Sequence, residues 1–347
     1  MISPIRRTLT AAAVLLAPAI AFAADSENML SRTNKNRLSM GAHFGLNINA
    51  SFKHIGRLAA PGNPGGTGPG LNHEYDDGYV RRDESDNFGG QTQYWGYENA
   101  GQDNGSSILF HNSTSTGVGA GREIECDPQY GLDVIYSREL GRIRNGRWGF
   151  EAGFSWTPIV LRDQHSYSGS VQRIEDAYSY TLGTTPPTAP YEGKFNEPGF
   201  VLNDTPTRSV STIPGGALVT GSHELDADLF GLRLGPFLEM PIGKKCSLSL
   251  SGGLALGGVS SEFSWHERAV IAGAGTLSGR GQGRKGEVLA GYYLGAKFNV
   301  ELSERVTAYG GVQYQNLGEF KQRENGRRAV LDLSQSIFFS IGVGYAF

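Results

Sequence analysis

The stretch Leu38-Ser39-Met40-Gly41-Ala42-His43-Phe44-Gly45-Leu46-Asn47-Ile48-Asn49-Ala50-Ser51-Phe52-Lys53 decides the fold class. Its eight even positions are apolar without exception, and its odd positions are small or polar. Successive side chains of an extended strand point to opposite faces, whereas a helix would need a spacing near 3.6 to gather the same residues on one side. The run therefore predicts a strand. It is also long, since a membrane-crossing strand needs about 9 to 11 residues and an average globular strand has about 5 to 6.

Working outward, the same period recurs in Tyr130 to Tyr136, Trp148 to Trp156, Phe230 to Met240, Cys246 to Leu256, Val288 to Leu302, Val306 to Tyr314 and Leu331 to Phe347. With Leu38 to Phe52 this predicts an all-β, transmembrane, antiparallel up-and-down β-barrel of eight strands, an even number, with ten or twelve as alternatives. Short connections (141 to 147, 241 to 245, 303 to 305) alternate with long ones (56 to 128, 162 to 222, 261 to 286, 318 to 328). Barrels of the outer membrane show this asymmetry, with short periplasmic turns and long extracellular loops. Gln91 to Glu98 and Ser106 to His111 read as a β-extension of the first long loop.

The alternate faces separate a membrane barrel from a soluble one. Ser247, Ser249, Ser251, Gly253, Ala255 and Gly257 in one strand, and Ser336, Ser340, Gly342 and Gly344 in the last, are small. A soluble barrel would place Lys and Glu on its wet outer surface. Pro158 and Pro236 cannot donate to a ladder and are expected at a rim or an irregularity.

Composition agrees. There are 50 Gly in 347 residues, about twice the usual share of about 7 %. Mean hydropathy is −0.31, and beyond the N-terminus no apolar run reaches the roughly 18 residues of a membrane helix. The formal net charge of −3 is too near balance to imply nucleic acid. Residues 1–23 read as a cleaved signal peptide: Arg6 and Arg7, an apolar core broken by Pro18, then Ala21-Phe22-Ala23. Residues 24–37 would be a periplasmic segment and 38–347 the barrel, placing the protein in the bacterial outer membrane. Cys126 and Cys246 are expected on opposite sides of the hydrocarbon, too far apart for a disulfide.

The signal peptide, the repeated amphipathic strands and the ending Gly342-Val343-Gly344-Tyr345-Ala346-Phe347 resemble small outer-membrane barrels of the OmpA and OmpX kind. The resemblance implies a fold, an outer-membrane location and the barrel-assembly machinery as a partner, with Ile341, Val343, Tyr345 and Phe347 as the assembly signal. The chain is expected to depart from OmpA in lacking room for a periplasmic domain after Phe347, and the resemblance implies no substrate.

Three sets of residues carry candidate chemistry. Asp133, Glu151, Arg233, Glu239, Lys297 and Glu301 share the inward parity and predict a charge network filling the lumen, with His43 as a hydrogen-bonded filler. His223, Asp226 and Asp228, with Asp76 and Asp77 from another loop, are the residues a rim hydrolase would use to activate water. Arg280, Arg284, Lys285, Lys321, Arg323, Arg327 and Arg328, beside His266 and Arg268, predict anion-binding loops suited to the phosphates of lipopolysaccharide. No motif calls for a metal or cofactor. The sequence thus points to a non-enzymatic barrel with a structural or surface-interaction role, with a narrow porin-like channel and a rim hydrolase as the alternatives.

Overall fold

The computed structural model describes residues 35–59, 62–83, 89–117, 123–125, 128–143, 146–271 and 274–347. The predicted signal peptide and Cys126 lie outside them. Eight antiparallel strands form a hydrogen-bonded ring: β1 (Asn36–Leu46), β2 (Gln129–Ile143), β3 (Gly146–Ser179), β4 (Thr207–Pro241), β5 (Cys246–Ile271), β6 (Gly275–Glu301), β7 (Val306–Asn316) and β8 (Ser336–Ala346). Neighbours in sequence pair throughout, and β8 returns to β1 from Arg37↔Ala346 to Leu46↔Ile337, which removes both sheet edges.

Around the ring the outward side chains are large and apolar. Met40, Leu132, Phe154, Leu232, Leu254, Leu294, Val312 and Ile341 are all exposed, from eight different strands. No water-soluble protein leaves a continuous apolar belt of this kind on its surface, so the belt faces lipid. No helix of the described residues is long and apolar enough to cross a membrane.

The strands do not all end where the belt ends. β3 to β6 continue well beyond it, and there the alternation inverts. In β4, Phe230, Leu232 and Leu234 point out and Arg233 points in, whereas further up Leu225, Ala227 and Leu229 are buried and Asp226 is exposed. The stretches expected as loops at 162–222 and 261–286 are therefore largely strand, with β3 reaching Ser179, β4 starting at Thr207, and β5 and β6 parted only at 272–274. The reason is a change of solvent: a strand leaving lipid for water turns its apolar side chains inward.

β7, β8, β1 and β2 solve the same problem by breaking. The expected single strand from Leu38 to Phe52 stops at Leu46; Asn47 takes φ 59°, and Asn49–Lys53 resumes in a second sheet. That sheet has the order Glu319–Glu324, Arg327–Asp332, Asn49–Lys53, Glu123–Glu125, so it prolongs the four ring strands in the same lateral order. It packs face to face on the long strands through Phe52, Phe320 and Leu331, with Ile48 just before it, against Leu161, Leu225, Phe263 and Trp265. The result is a head with an apolar core mounted on a lipid-facing ring. Gly281 of β6 lies so close to the Trp265 indole that an added Cβ would fall 2.5 Å from its Nε1, which is why glycine lines this seam.

Ser107–Gly117 pairs with the tip of β3 over Ser170–Ser179 and does not enter the ring, so the strand number stays eight. A second aromatic core there joins Tyr75, Trp95, Tyr97, Phe110, Tyr178 and Tyr180. Both prolines sit where the ladder tolerates them. Pro158 lies two residues past Trp156, the last β3 partner of β2, and Pro236 lies where the β4–β5 pairing is interrupted between Leu234 and Phe237.

Candidate functional site

Charge lies at three places: the lumen of the ring, the inner layer of the head, and the outer wall above the belt. In the lumen, Lys297 Nζ of β6 reaches Glu151 Oε2 of β3 at 2.6 Å, and Arg233 Nη2 of β4 reaches Asp133 Oδ2 of β2 at 3.3 Å. Tyr293 donates to Glu151 at 3.2 Å, Tyr309 donates to Asp133 at 3.3 Å, and Arg233 also donates to Gln313. Two acids and two bases thus neutralise one another across the ring. Space for them comes from glycine: a Cβ on Gly153 would meet Arg233 Nε at 2.4 Å. Ring strands of this number enclose an interior just wide enough for side chains, and these fill it.

A second layer lies toward the short turns. Glu239 binds Arg37 at 2.9 Å and Arg147 at 2.8 Å and accepts from Ser247 at 2.5 Å. Glu301 ends β6 opposite Thr307. Toward the head, His43 bonds Thr157 Oγ1 at 2.8 Å and meets the edge of Phe338. The six residues expected in the lumen thus divide into layers. Arg37, Arg147, Tyr293 and Tyr309 complete them and were not anticipated. Parity alone would have placed the two tyrosines, since Tyr293 precedes Lys297 by four.

Inside the head, Glu267 of β5 gathers three donors. His223 Nε2 stands 2.9 Å from it, Arg327 Nη2 2.6 Å and the Gly56 amide 2.8 Å. Burial opposes ionisation of Glu267, yet the hydrogen bonds from His223 and Arg327 hold its carboxyl below the usual range. Phe52 stacks on His223, and Arg327 lies over Trp265. Arg327 is thus withdrawn from the expected anion-binding set, because its charge is spent on a buried carboxylate.

The hydrolase constellation is not assembled. His223 is fully buried among the core residues, while Asp226 is exposed on the opposite face of the same strand, as an odd spacing in an extended chain requires. Asp228 accepts from the Trp156 indole at 2.8 Å, at the edge of the lipid belt. Burial, together with Asp228, Glu224 and Glu262, raises the Asp226 carboxyl. Asp76 and Asp77 bind elsewhere. Asp77 holds His111 Nδ1 at 2.6 Å and Asp76 accepts the Ser113 amide at 2.6 Å, tying a turn to the 107–117 strand.

The outer wall above the belt reads as cross-strand rows. Val160, Asp226, Glu262 and Arg284 form one; Arg162, Glu224, Ser264 and Gln282 the next; Gln164, Ser222, His266 and Arg280 the third. Arg162 pairs with Glu224 and Arg284 with Glu262, both at 2.7 Å. An open groove of about 600 Å³ runs along the upper two rows. Among the described residues Arg280, His266 and Arg268 have no ion-pair or side-chain hydrogen-bond partner, and all three are exposed. The remaining expected cations are dispersed: Lys285 binds Glu287 at 2.7 Å and Lys321 binds Glu319 at 2.7 Å, while Arg323 and Arg328 face each other across the hairpin.

No family model and no curated protein matches the chain. Among solved structures it is similar to Ail, the attachment invasion locus protein of Yersinia pestis, at 9 % identity and a TM-score of 0.29, covering 90 % of this chain and 99 % of that one. A second likeness is to the outer membrane protease OmpT of Escherichia coli, at 11 % identity and a TM-score of 0.26, over 91 % and 98 % of the two chains. A third is to the toluene transporter TodX of P. putida, at 8 % and 0.18, over 90 % of each. The fold assignment stands on the closed ring and its apolar belt.

One further group was hidden by the reading of 162–222 as a loop. Asp163, His165 and Tyr167 alternate along β3 and share its inner face. Asp163 is buried and binds His165 Nδ1, and it accepts from Tyr167 OH at 2.5 Å. The bond fixes the imidazole orientation, and the His165 side chain remains exposed. The spacing of two between acid, base and phenol was the available signal.

Proposed function

We propose that the protein is a non-conducting barrel of the bacterial outer membrane, non-enzymatic, that holds a rigid, folded head on the cell surface for interaction with its surroundings. The observation that carries this reading is the cross-section at Asp133, Glu151, Arg233 and Lys297. Their ion pairs span the lumen from β2, β3, β4 and β6, and Tyr293 and Tyr309 fill the space between. A conducting pore needs an unfilled polar path, and a neutralised, interlocked layer gives ions neither room nor a net field.

The two ends of the barrel support the orientation. At one, 242–245 and 302–305 are tight turns; at the other stands the head, with the long connections. Placing the head outside follows the usual asymmetry of such barrels. The outward residues Ile341, Val343 and Tyr345 of the closing strand, with Phe347 just past its end, run toward the turn end, in keeping with a role as the assembly signal. Planar-bilayer recording of the refolded full chain tests the proposal. Silence at 0.1 to 1 M salt is expected, and steady open-channel current overturns it.

A further inference from the structure

Above the belt, the sign of the outer wall changes with height. The last row within the belt is Trp156, Phe230, Gly258 and Val288. Asp228, Asp226, Glu262 and Glu224 occupy the rows directly above it, with Arg284 and Arg162 taking up Glu262 and Glu224. The next row, Gln164, Ser222, His266 and Arg280, contains no acid. Nor does the following one, Ser166, Thr220, Arg268 and Ser278. His266 and Arg280 are direct cross-strand partners and Arg268 lies one row higher. His266 and Arg280 thus line an open groove of about 600 Å³ together with Gln164 and Ser222, and Arg268 stands one row above its lining.

A guanidinium left without a carboxylate beside hydroxyl and amide donors suits a phosphate, whose oxygens accept charge-assisted bonds from several sides at once. The position selects the carrier. From Trp156 to Gln164 the strand climbs eight residues. At about 3.3 Å per residue and a tilt near 40°, this places the groove about 20 Å above the hydrocarbon edge. That is above the phospholipid headgroup layer, which adds only about 5 to 8 Å on each side. The groove also opens sideways, along the membrane, because these side chains point away from the barrel axis. What stands beside it at this height is the sugar region of an outer-leaflet glycolipid.

We infer that His266, Arg268 and Arg280 form a docking site for a phosphorylated saccharide of the outer-leaflet glycolipid. The inference rests on the reading that the head lies outside the membrane. It replaces a diffuse basic loop patch with three residues on a rigid wall, and it gives the surface interaction a ligand class.

The test uses the full chain in lipid nanodiscs. The probe is a truncated lipopolysaccharide that keeps its core-sugar phosphates, compared with the same glycolipid after removal of the core phosphates. Binding by the native chain is expected to weaken at least tenfold on dephosphorylation and to fall steeply with salt. Arg268→Gln/Arg280→Gln is expected to lose the same factor, whereas Lys53→Gln/Arg323→Gln, placed on the opposite sheet, stays within twofold. Retention of heat-modifiable gel mobility shows that each variant is folded. Equal binding of both glycolipid forms, or unchanged binding by the Arg268/Arg280 variant, overturns the site. Binding of a free sugar phosphate as tightly as the glycolipid overturns the assignment of the carrier. Protease access to the head in intact cells reports on the parent reading separately: a protected head removes that reading, and an accessible head without glycolipid discrimination removes only the site.

Discussion

Phe44 and Phe52 stand eight residues apart in one unbroken alternation, yet they face opposite surroundings: Phe44 is 38 % exposed on the lipid-facing wall and Phe52 is 1 % exposed inside the head. The left-handed turn at Asn47 exchanges the faces between them. Phe44 stacks on Phe339 of the neighbouring ring strand, whereas Phe52 stacks on Phe263 and His223 across the head core. One sequence pattern thus serves two solvents.

The first prediction follows from that difference. Phe52→Ala leaves a cavity between two packed sheets and is expected to cost about 3 to 5 kcal/mol, the usual range for a buried aromatic. Phe44→Ala is expected to cost well under half of that, because lipid chains refill the space. Urea unfolding followed by tryptophan fluorescence measures both, and equal costs would refute the assignment of faces.

A second prediction concerns Glu267. Its carboxyl is held below the ordinary range, so it contributes stability above that range and loses it as pH falls through the lowered value. The head is expected to loosen in acid at a pH below the normal carboxylate range. Glu267→Gln leaves Arg327 buried without a counter-charge, is expected to cost about 3 to 5 kcal/mol at pH 7, and should flatten the acid dependence. A pH series of unfolding midpoints for both proteins checks the sign.

Lumen packing gives a third. Lys297→Met removes the partner of Glu151 and leaves that carboxylate in a closed interior, so a loss of about 3 kcal/mol or more is expected. The double variant Glu151→Gln/Lys297→Met is expected to recover most of it, since an uncharged pair of similar volume needs no compensation. A double variant as unstable as the single one would show that the charges are not coupled.

The ring was legible in the sequence because one physical rule governs it: lipid outside and small or paired residues inside, repeated over segments of membrane length. The head was not legible by the same rule. In β4 the apolar set moves from Phe230, Leu232 and Leu234 to Leu225, Ala227 and Leu229, and an alternation that changes phase reads as an irregular loop. The candidate site divided in the same way. Arg233 and Lys297 show through parity, while Arg37 and Arg147 do not, because they fall in the stretches read as a periplasmic segment, 24–37, and a turn, 141–147. Arg327 looked available because its partner Glu267 lies 60 residues away, and only the fold brings the two together. Asp163, His165 and Tyr167 carried a visible spacing of two, obscured by the loop assignment of their segment.

The ring between Trp148 and Trp156 lies in lipid, and the head above it does not. The four tryptophans, Trp95, Trp148, Trp156 and Trp265, test it directly. Each is retained alone, with the other three changed to Phe, and the refolded protein is placed in bilayers of brominated lipid. Strong quenching is expected for Trp148 and Trp156, on the belt, and none for Trp95 and Trp265, within the head. Quenching of Trp265, or a Trp148 indifferent to bromine, would show that the ring is not the part in lipid.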